Sequence, residues 1–471
     1  MAPGRILIVR LPCHKVFPAG PVYLHAALHA AAPSAALRLL DLALESRRGA
    51  WPAVKRDLRA FHPDLVAFSW RDIQIFSPQD ADGGLRDAFI FFHHPSLLHK
   101  AAAAFRGLRD MVLYRSSLAT NLRLLRRTAR KVPRARVALG GPSARIFGEL
   151  LRGRLPRRVE IFSEQGLDAF FRAMDLPAPA EPLEPGIDIP FLAATFPGFP
   201  AYRGDVVAVQ TKQGCPQHCL YCLYGFLEGR AVRRRDSRRV VDEIEAWVRH
   251  AGTRRFWLAD AQLLSVPGDK EHLASILAGV IDRGLSITWS GYLRVHELEP
   301  NLARLMVRTG LSDLEVSVNS GAQEVIDRLR LGFTVEGVER GLAALRDAGY
   351  AGRVLLNLSL NAPGETTETL RATCALVRRV TALFGDERVI PVVFFLAIQP
   401  HTGLEETALA AGHIRAGYNP LSVLPWNVLR LIYNPPPLGR TIGRACVAAF
   451  AGGREGAGRR VLAELGRITG G

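Results

Sequence analysis

Three cysteines, Cys215, Cys219 and Cys222, fall within eight residues in the segment 211-TKQGCPQHCLYCLYG-225. Their C-x3-C-x2-C spacing puts three thiolates on one tight loop. Soft sulfur donors so arranged suit three corners of an iron–sulfur cube, leaving the fourth iron without a protein thiolate and open to chemistry. The competing reading is a zinc site with His218 as fourth ligand. Structural zinc sites draw paired ligands from separate segments, and His218 adjoins Cys219 directly, which makes joint tetrahedral ligation awkward. Cys13, Cys374 and Cys446 are scattered, so the six cysteines do not form a disulfide framework.

Such a loop needs a rigid strand behind it. Val206–Thr211 is an apolar run leading straight into the cysteines, and Ser237 opens a helix with Val240, Val241, Ile244, Trp247 and Val248 on one face. Phe256–Leu258, Ile287–Trp289, Leu314–Val318, Val354–Leu360 and Val392–Ile398 complete six strands separated by helical patterns. This βα repeat predicts a partial or full parallel barrel, whose chemistry gathers at the strand C-termini. The first half alternates too: strands at Ile6–Val9, Leu37–Leu40, Leu65–Trp70, Val137–Leu139 and Val159–Phe162 predict a parallel sheet covered on both faces. We place this doubly wound sheet domain at 1–176, with a helical insertion at 77–131. A Pro-rich linker follows at 177–204, then the barrel at 205–412 and a C-terminal cap at 413–471.

The 471 residues are too many for one ordinary core. No stretch is long and apolar enough to span a membrane, no signal peptide is recognisable, and a cytoplasmic protein is expected. The formal charge is +17, much of it in 123-RLLRRTARKVPRAR-136 and 230-RAVRRRDSRR-239. No aromatic residue interleaves either run to stack on bases, so they read as solvated helix faces and nucleic acid is not an expected partner. His25/His29 and His93-His94 read as packed or surface histidines.

The cysteine motif following a strand resembles the radical S-adenosylmethionine (SAM) superfamily. The resemblance runs in order through Asp260, 289-WSGYLRVHELEPNLARLMVRTG-310, 313-DLEVSVNSGAQEVIDRLRLGFT-334, 354-VLLNLSLNAPGETTET-369 and 398-IQPHTGLEETALAAG-412. It implies a [4Fe–4S] cluster on Cys215, Cys219 and Cys222, with SAM held by Tyr221, Asp260, Arg294, Asn319, Ser320, Gly364 and Glu365. Asn319 stands where a glutamate is common, and His401 where Pro-Gly-Thr is usual. The first half resembles the cobalamin-binding, Rossmann-like domain of one branch of that superfamily, through Gly140-Gly141-Pro142-Ser143 and 163-SEQGLDAFF-171. Arg71, Asp72, Gly140, Gly141, Ser143, Glu164, Gln165 and Gly166 are the implied cobalamin contacts. Nothing matches the Asp-x-His-x-x-Gly loop that supplies a lower cobalt ligand. Arg71 cannot replace it, since a guanidinium keeps its proton. Cys13-His14 lies nearby, after the first strand.

The resemblance implies methyl transfer to an unactivated carbon of a small or natural-product substrate, through methylcobalamin and a 5′-deoxyadenosyl radical. The electron donor would be of flavodoxin or ferredoxin type. A cobalamin-dependent cyclase or ring-rearranging enzyme is the alternative, and a cobalamin or iron–sulfur sensor a remote one. A methylthiotransferase would need three more N-terminal cysteines, where only Cys13 stands before residue 200.

Overall fold

Ile6 and Ile8 face one side of the first strand, Leu7 and Val9 the other, and all four are buried in two different hydrophobic clusters. A strand apolar on both faces needs cover on both, which flanking helices provide. The computed structural model describes residues 3–73, 82–164, 166–177, 186–422, 424–450 and 456–469. Five parallel strands, β1 (Arg5–Arg10), β2 (Ala36–Asp41), β3 (Leu65–Ser69), β4 (Arg136–Gly140) and β5 (Val159–Ile161), run in the order β2-β1-β3-β4-β5. The order reverses between β1 and β3, the crevice where open sheets of this kind receive ligands. The insertion after β3 is a hairpin of two helices, Asp82–His93 and Leu97–Lys131.

The second half begins with β6 (Val207–Val209), followed by a short antiparallel pair, β7 (Lys212–Gln213) and β8 (Arg233–Arg234). Then come β9 (Arg255–Leu258), β10 (Thr288–Gly291), β11 (Leu314–Asn319), β12 (Val354–Leu360) and β13 (Val389–Phe395). Parallel ladders join β6, β9 and β10, and β11, β12 and β13; parallel bridges Trp289–Leu311 and Tyr292–Glu315 link the two groups. The result is a six-stranded parallel wall curled into a partial barrel. Its last strand starts three residues earlier than expected, at Val389. Pro391 lies inside β13 opposite Leu356, which an edge strand tolerates because one side of its ladder needs no N–H donor.

The segment expected as a linker is structured from Ile189 onward. Asp188 caps the helix Ile189–Thr195 by accepting from Phe191 N at 2.9 Å, and Phe199–Tyr202 adds a 3₁₀ turn. Ile189, Leu192, Phe196, Phe199 and Tyr202 are buried and belong to the cluster that also contains Ile6, Ile8, Val207, Trp247 and Leu356. Sheet and barrel thus share one core. At the same junction Tyr23 donates to Glu243 at 2.8 Å and accepts from Gln210 N at 3.0 Å, while Arg235 pairs with Glu243 at 2.7 Å. The helices Leu438–Phe450 and Ala457–Thr469 complete the C-terminal cap, the second reaching back to β13 through Arg459, which donates to Val389 O at 2.8 Å. No described helix is long and apolar enough to cross a membrane.

Candidate functional site

The cysteine loop is held by its backbone before its side chains do anything. Gly214 has φ 98°, and a Cβ there would stand 2.1 Å from the carbonyl oxygen of Ala231. Only glycine allows the loop to lie so close to β8. Cys215 N donates to Gly229 O at 2.9 Å, Leu220 N to Leu329 O at 2.9 Å, and Leu404 N to Leu220 O at 2.8 Å. Beneath the loop the buried Lys212 ammonium pairs with Asp269, which also accepts from Arg234 at 2.9 Å and from Val266 N at 3.0 Å. Arg230 donates to Gln217 O at 2.9 Å. The arginine run around 230–235 is solvent-exposed except for the buried Arg235, and from that surface Arg230 and Arg234 brace the cysteine loop.

Cys215, Cys219 and Cys222 line a cavity of about 240 Å³ together with Tyr221, Tyr224, Gln262, Tyr292, Arg294, Glu315 and Asn357. Burial raises the pKa of all three thiols, that of Cys222 to about 12, and the neighbouring cysteines push Cys219 and Cys222 further in the same direction. Three such thiols cannot be ionised together without a cation to share, and a metal that displaces their protons supplies it. His218, the fourth ligand of the zinc reading, is exposed and is not among the residues that line this cavity.

Of the residues expected to contact SAM, the fold brings three to this cavity. Tyr221 and Arg294 line it, and Asn319 donates to the Tyr221 hydroxyl at 2.9 Å. The Arg294 guanidinium donates to Leu331 O and Gly332 O, and lies near enough to Cys215 and Cys219 for their charge to act on it. The side-chain amide oxygens of Asn319 (Oδ1) and Gln262 (Oε1) are buried without a partner among the described groups.

The other four are engaged elsewhere. Asp260 accepts from Thr211 N at 2.7 Å and Lys212 N at 3.1 Å, so its carboxylate clasps the end of β6 and leaves Ala261 and Gln262 to face the cavity. Ser320 meets the Thr373 hydroxyl at 3.1 Å. Gly364 packs on Arg328, and Glu365 turns back to accept from Ala362 N at 3.2 Å. Gln262, Tyr292, Glu315 and Asn357 escaped the sequence reading. The inward alternation of Glu315, Ser317 and Asn319 along β11 is the signal that could have found the third of them.

At the top of the sheet, Trp70 Nε1 donates to Asp72 at 3.3 Å, and burial raises the Asp72 pKa. Gly141, φ 92°, lies against Trp70, where a Cβ would meet the carbonyl oxygen at 2.7 Å. Ser143 is buried and engaged by Asp72 O and Trp70 O, so it supports the ledge from beneath and does not face it. Gly140 and Gly166 look onto open space, Glu164 is exposed, and Gln165 lies outside the described residues. Arg71 acts electrostatically on Tyr224 and Tyr292, on the far side of the cleft. His401 takes a left-handed φ of 67°, stacks on Phe226 at 4.1 Å and meets Ile146 O at 3.1 Å. The departure at His401 is thus a strut between sheet and barrel.

The His25/His29 pair is structural. His25 meets the Thr195 hydroxyl at 2.8 Å, and His29 stacks on Phe191.

Residues 209–377 match the radical SAM superfamily, so the barrel carries a radical SAM domain. Over 208 residues, 43% of this chain, the sequence is 24% identical to an uncharacterized methyltransferase of Pyrococcus horikoshii, covering 44% of that protein. The chain spans less than half the length of the curated relatives it matches. Among solved structures, it is similar to the cobalamin-dependent SAM radical enzyme OxsB with aqua-cobalamin and SAM bound (TM-score 0.64, 10% identity, 99% of this chain and 71% of that one). It is also similar to the radical SAM methyltransferase TsrM from Kitasatospora setae, with tryptophan and a SAM analogue bound (TM-score 0.61, 16% identity, 88% and 77%). A parallel sheet followed by a partial barrel is the architecture all three share.

Proposed function

We propose that this chain is a cobalamin-dependent radical SAM methyltransferase that acts on an unactivated carbon of a small or natural-product substrate. The observation carrying this reading is the meeting of two strand-end ledges: the thiol-lined cavity extends to Tyr224 and Tyr292, and these phenols feel the charge of Arg71 at the end of β3. The residues present fit the three groups required. Cys215, Cys219 and Cys222 would hold a [4Fe–4S] cluster. Tyr221, Arg294, Asn319 and Gln262 would hold SAM, the two partnerless amide oxygens receiving its donors. The open side of Gly140 and Gly166, with Arg71, Asp72 and Glu164 near it, would seat cobalamin.

When bound, these groups supply a carbon-centred radical and a methyl carrier, reduced by an external flavodoxin- or ferredoxin-type donor. The chain's own part is positional. Leu293, Val295, Val316 and Phe333 wall the cavity with apolar surface, which keeps water from a reactive carbon. Substrate is held between the two ledges at near-attack distance, and no side chain is needed as a general base.

Anaerobic reconstitution should give one [4Fe–4S] cluster and one cobalamin per chain, and methyl-labelled SAM should pass its label to product. 5′-Deoxyadenosine formed without label in the product would favour a ring-rearranging enzyme. Zinc with no visible chromophore would overturn the whole reading.

A further inference from the structure

Of the fifteen large apolar side chains exposed among the described residues, eight lie between Phe91 and Leu113, on the helical hairpin inserted after β3. Apolar surface concentrated so heavily in one element marks a contact site. Leu97 and Leu98, at the hairpin tip, are 80% and 83% exposed, and Phe105 is 74% exposed. Leu98, Phe105, Leu108 and Val112 follow one another at intervals of seven, three and four residues, so they form a single stripe along the second helix. The stripe runs for about 20 Å. The first helix fixes the hairpin: Phe89 packs on Phe395 of β13 at 5.1 Å, and Arg106 of the second helix pairs with the buried Asp87 of the first at 2.8 Å. The described chain therefore anchors the hairpin while leaving the stripe uncovered.

Charge selects the occupant. Beside the Arg106–Asp87 pair, the stretch from 90 to 116 carries Lys100, Arg109 and Arg115 against Asp110 alone. Arg440 and Arg444 of the cap approach the tip, where with Lys100 they act on His93. Pairing this helix with a second copy would set cations against cations, with no acidic flank to match them. Phe and Leu on one face with Lys and Arg beside them is the pattern of a helix lying in a lipid interface.

We propose that the hairpin docks on an anionic phospholipid surface, its apolar stripe in the acyl boundary and its cations among the headgroups. This holds independently of the reaction proposed above.

The test uses the full chain with sedimentable vesicles of phosphatidylcholine alone or mixed with phosphatidylglycerol. Wild type should sediment with the mixed vesicles, little with phosphatidylcholine alone, and less at high salt. Phe105→Ser combined with Leu108→Ser leaves the charge unchanged and should lower the bound fraction about tenfold, with an unaltered melting curve and cofactor load. Lys100→Glu combined with Arg109→Glu should weaken binding to the mixed vesicles and leave any residual binding to phosphatidylcholine. Wild type that stays in the supernatant with anionic vesicles overturns the proposal. So does sedimentation indifferent to the serine pair, which would reduce the effect to overall basicity. A dimeric mass in solution that falls to one chain in the serine variant would assign the face to a second copy.

Discussion

The two ledges facing the cleft are built by opposite means. The barrel mouth presents side chains: three thiols, a guanidinium, three phenols, a carboxyl and amide oxygens, held by buried ionic and hydrogen-bonded groups underneath. The sheet top presents backbone and vacancy, with Gly140 and Gly166 opening onto space and Ser143 and Asp72 turned inward to support them. One ledge grips by chemistry and the other by shape. Deleting a side chain should therefore damage the first, and adding one should damage the second.

The strongest way to break this contrast is at the thiols. Cys219→Ala should abolish turnover and iron–sulfur absorbance while cobalamin content stays near wild type, measured by metal analysis after reconstitution. Loss of both cofactors together would show that the ledges are not separable. Next, Asp269→Ala leaves the buried Lys212 ammonium without its carboxylate and should cost about 3–5 kcal/mol of stability in denaturant melts.

The sheet side is probed by Gly140→Leu. Its backbone lies outside the left-handed region and a Cβ there meets nothing within 4 Å, so folding should survive. Cobalamin affinity should fall at least about tenfold, ~1.4 kcal/mol, with iron content unchanged; undiminished cobalamin would move its seat away from β4.

The smallest effect concerns Glu365. Burial raises its pKa from 4.5 to about 8, and its Oε1 has no partner among the described groups. The folded chain thus keeps a proton that the unfolded chain releases, and stability contributed by that proton fades as pH rises from about 4.5 through about 8. Glu365→Gln carries no such proton, so it should melt a few degrees higher than wild type at pH 9 and at the same temperature near pH 4.

The cysteine loop was legible because three thiols at fixed spacing have few structural uses. The strands were legible because β-branched runs ended in small or polar residues. What the sequence hid was direction. Asp260 and Ser143 are polar residues at strand ends, as a ligand contact would be, yet each faces backbone. Gln262 and Asn357 are single polar residues among apolar neighbours, and only closure of the barrel points them at a common space. The Pro-rich composition around 177–186 concealed the aromatic run that follows it, so Phe196, Phe199 and Tyr202 read as linker when they are core. The expected last strand began at Val392, just past Pro391, which sits on the edge strand where its missing N–H costs nothing.

That shared core has a consequence for how the cleft can work. With Ile8 of the sheet and Leu356 of the barrel in one cluster through the Phe196–Tyr202 segment, and His401 propped across the other side, the two ledges are jaws of a fixed gauge. Their separation is set when the chain folds, before any cofactor arrives. A substrate is then admitted according to whether it fills the set gap, because among the described residues the two sides of the cleft are tied through one core.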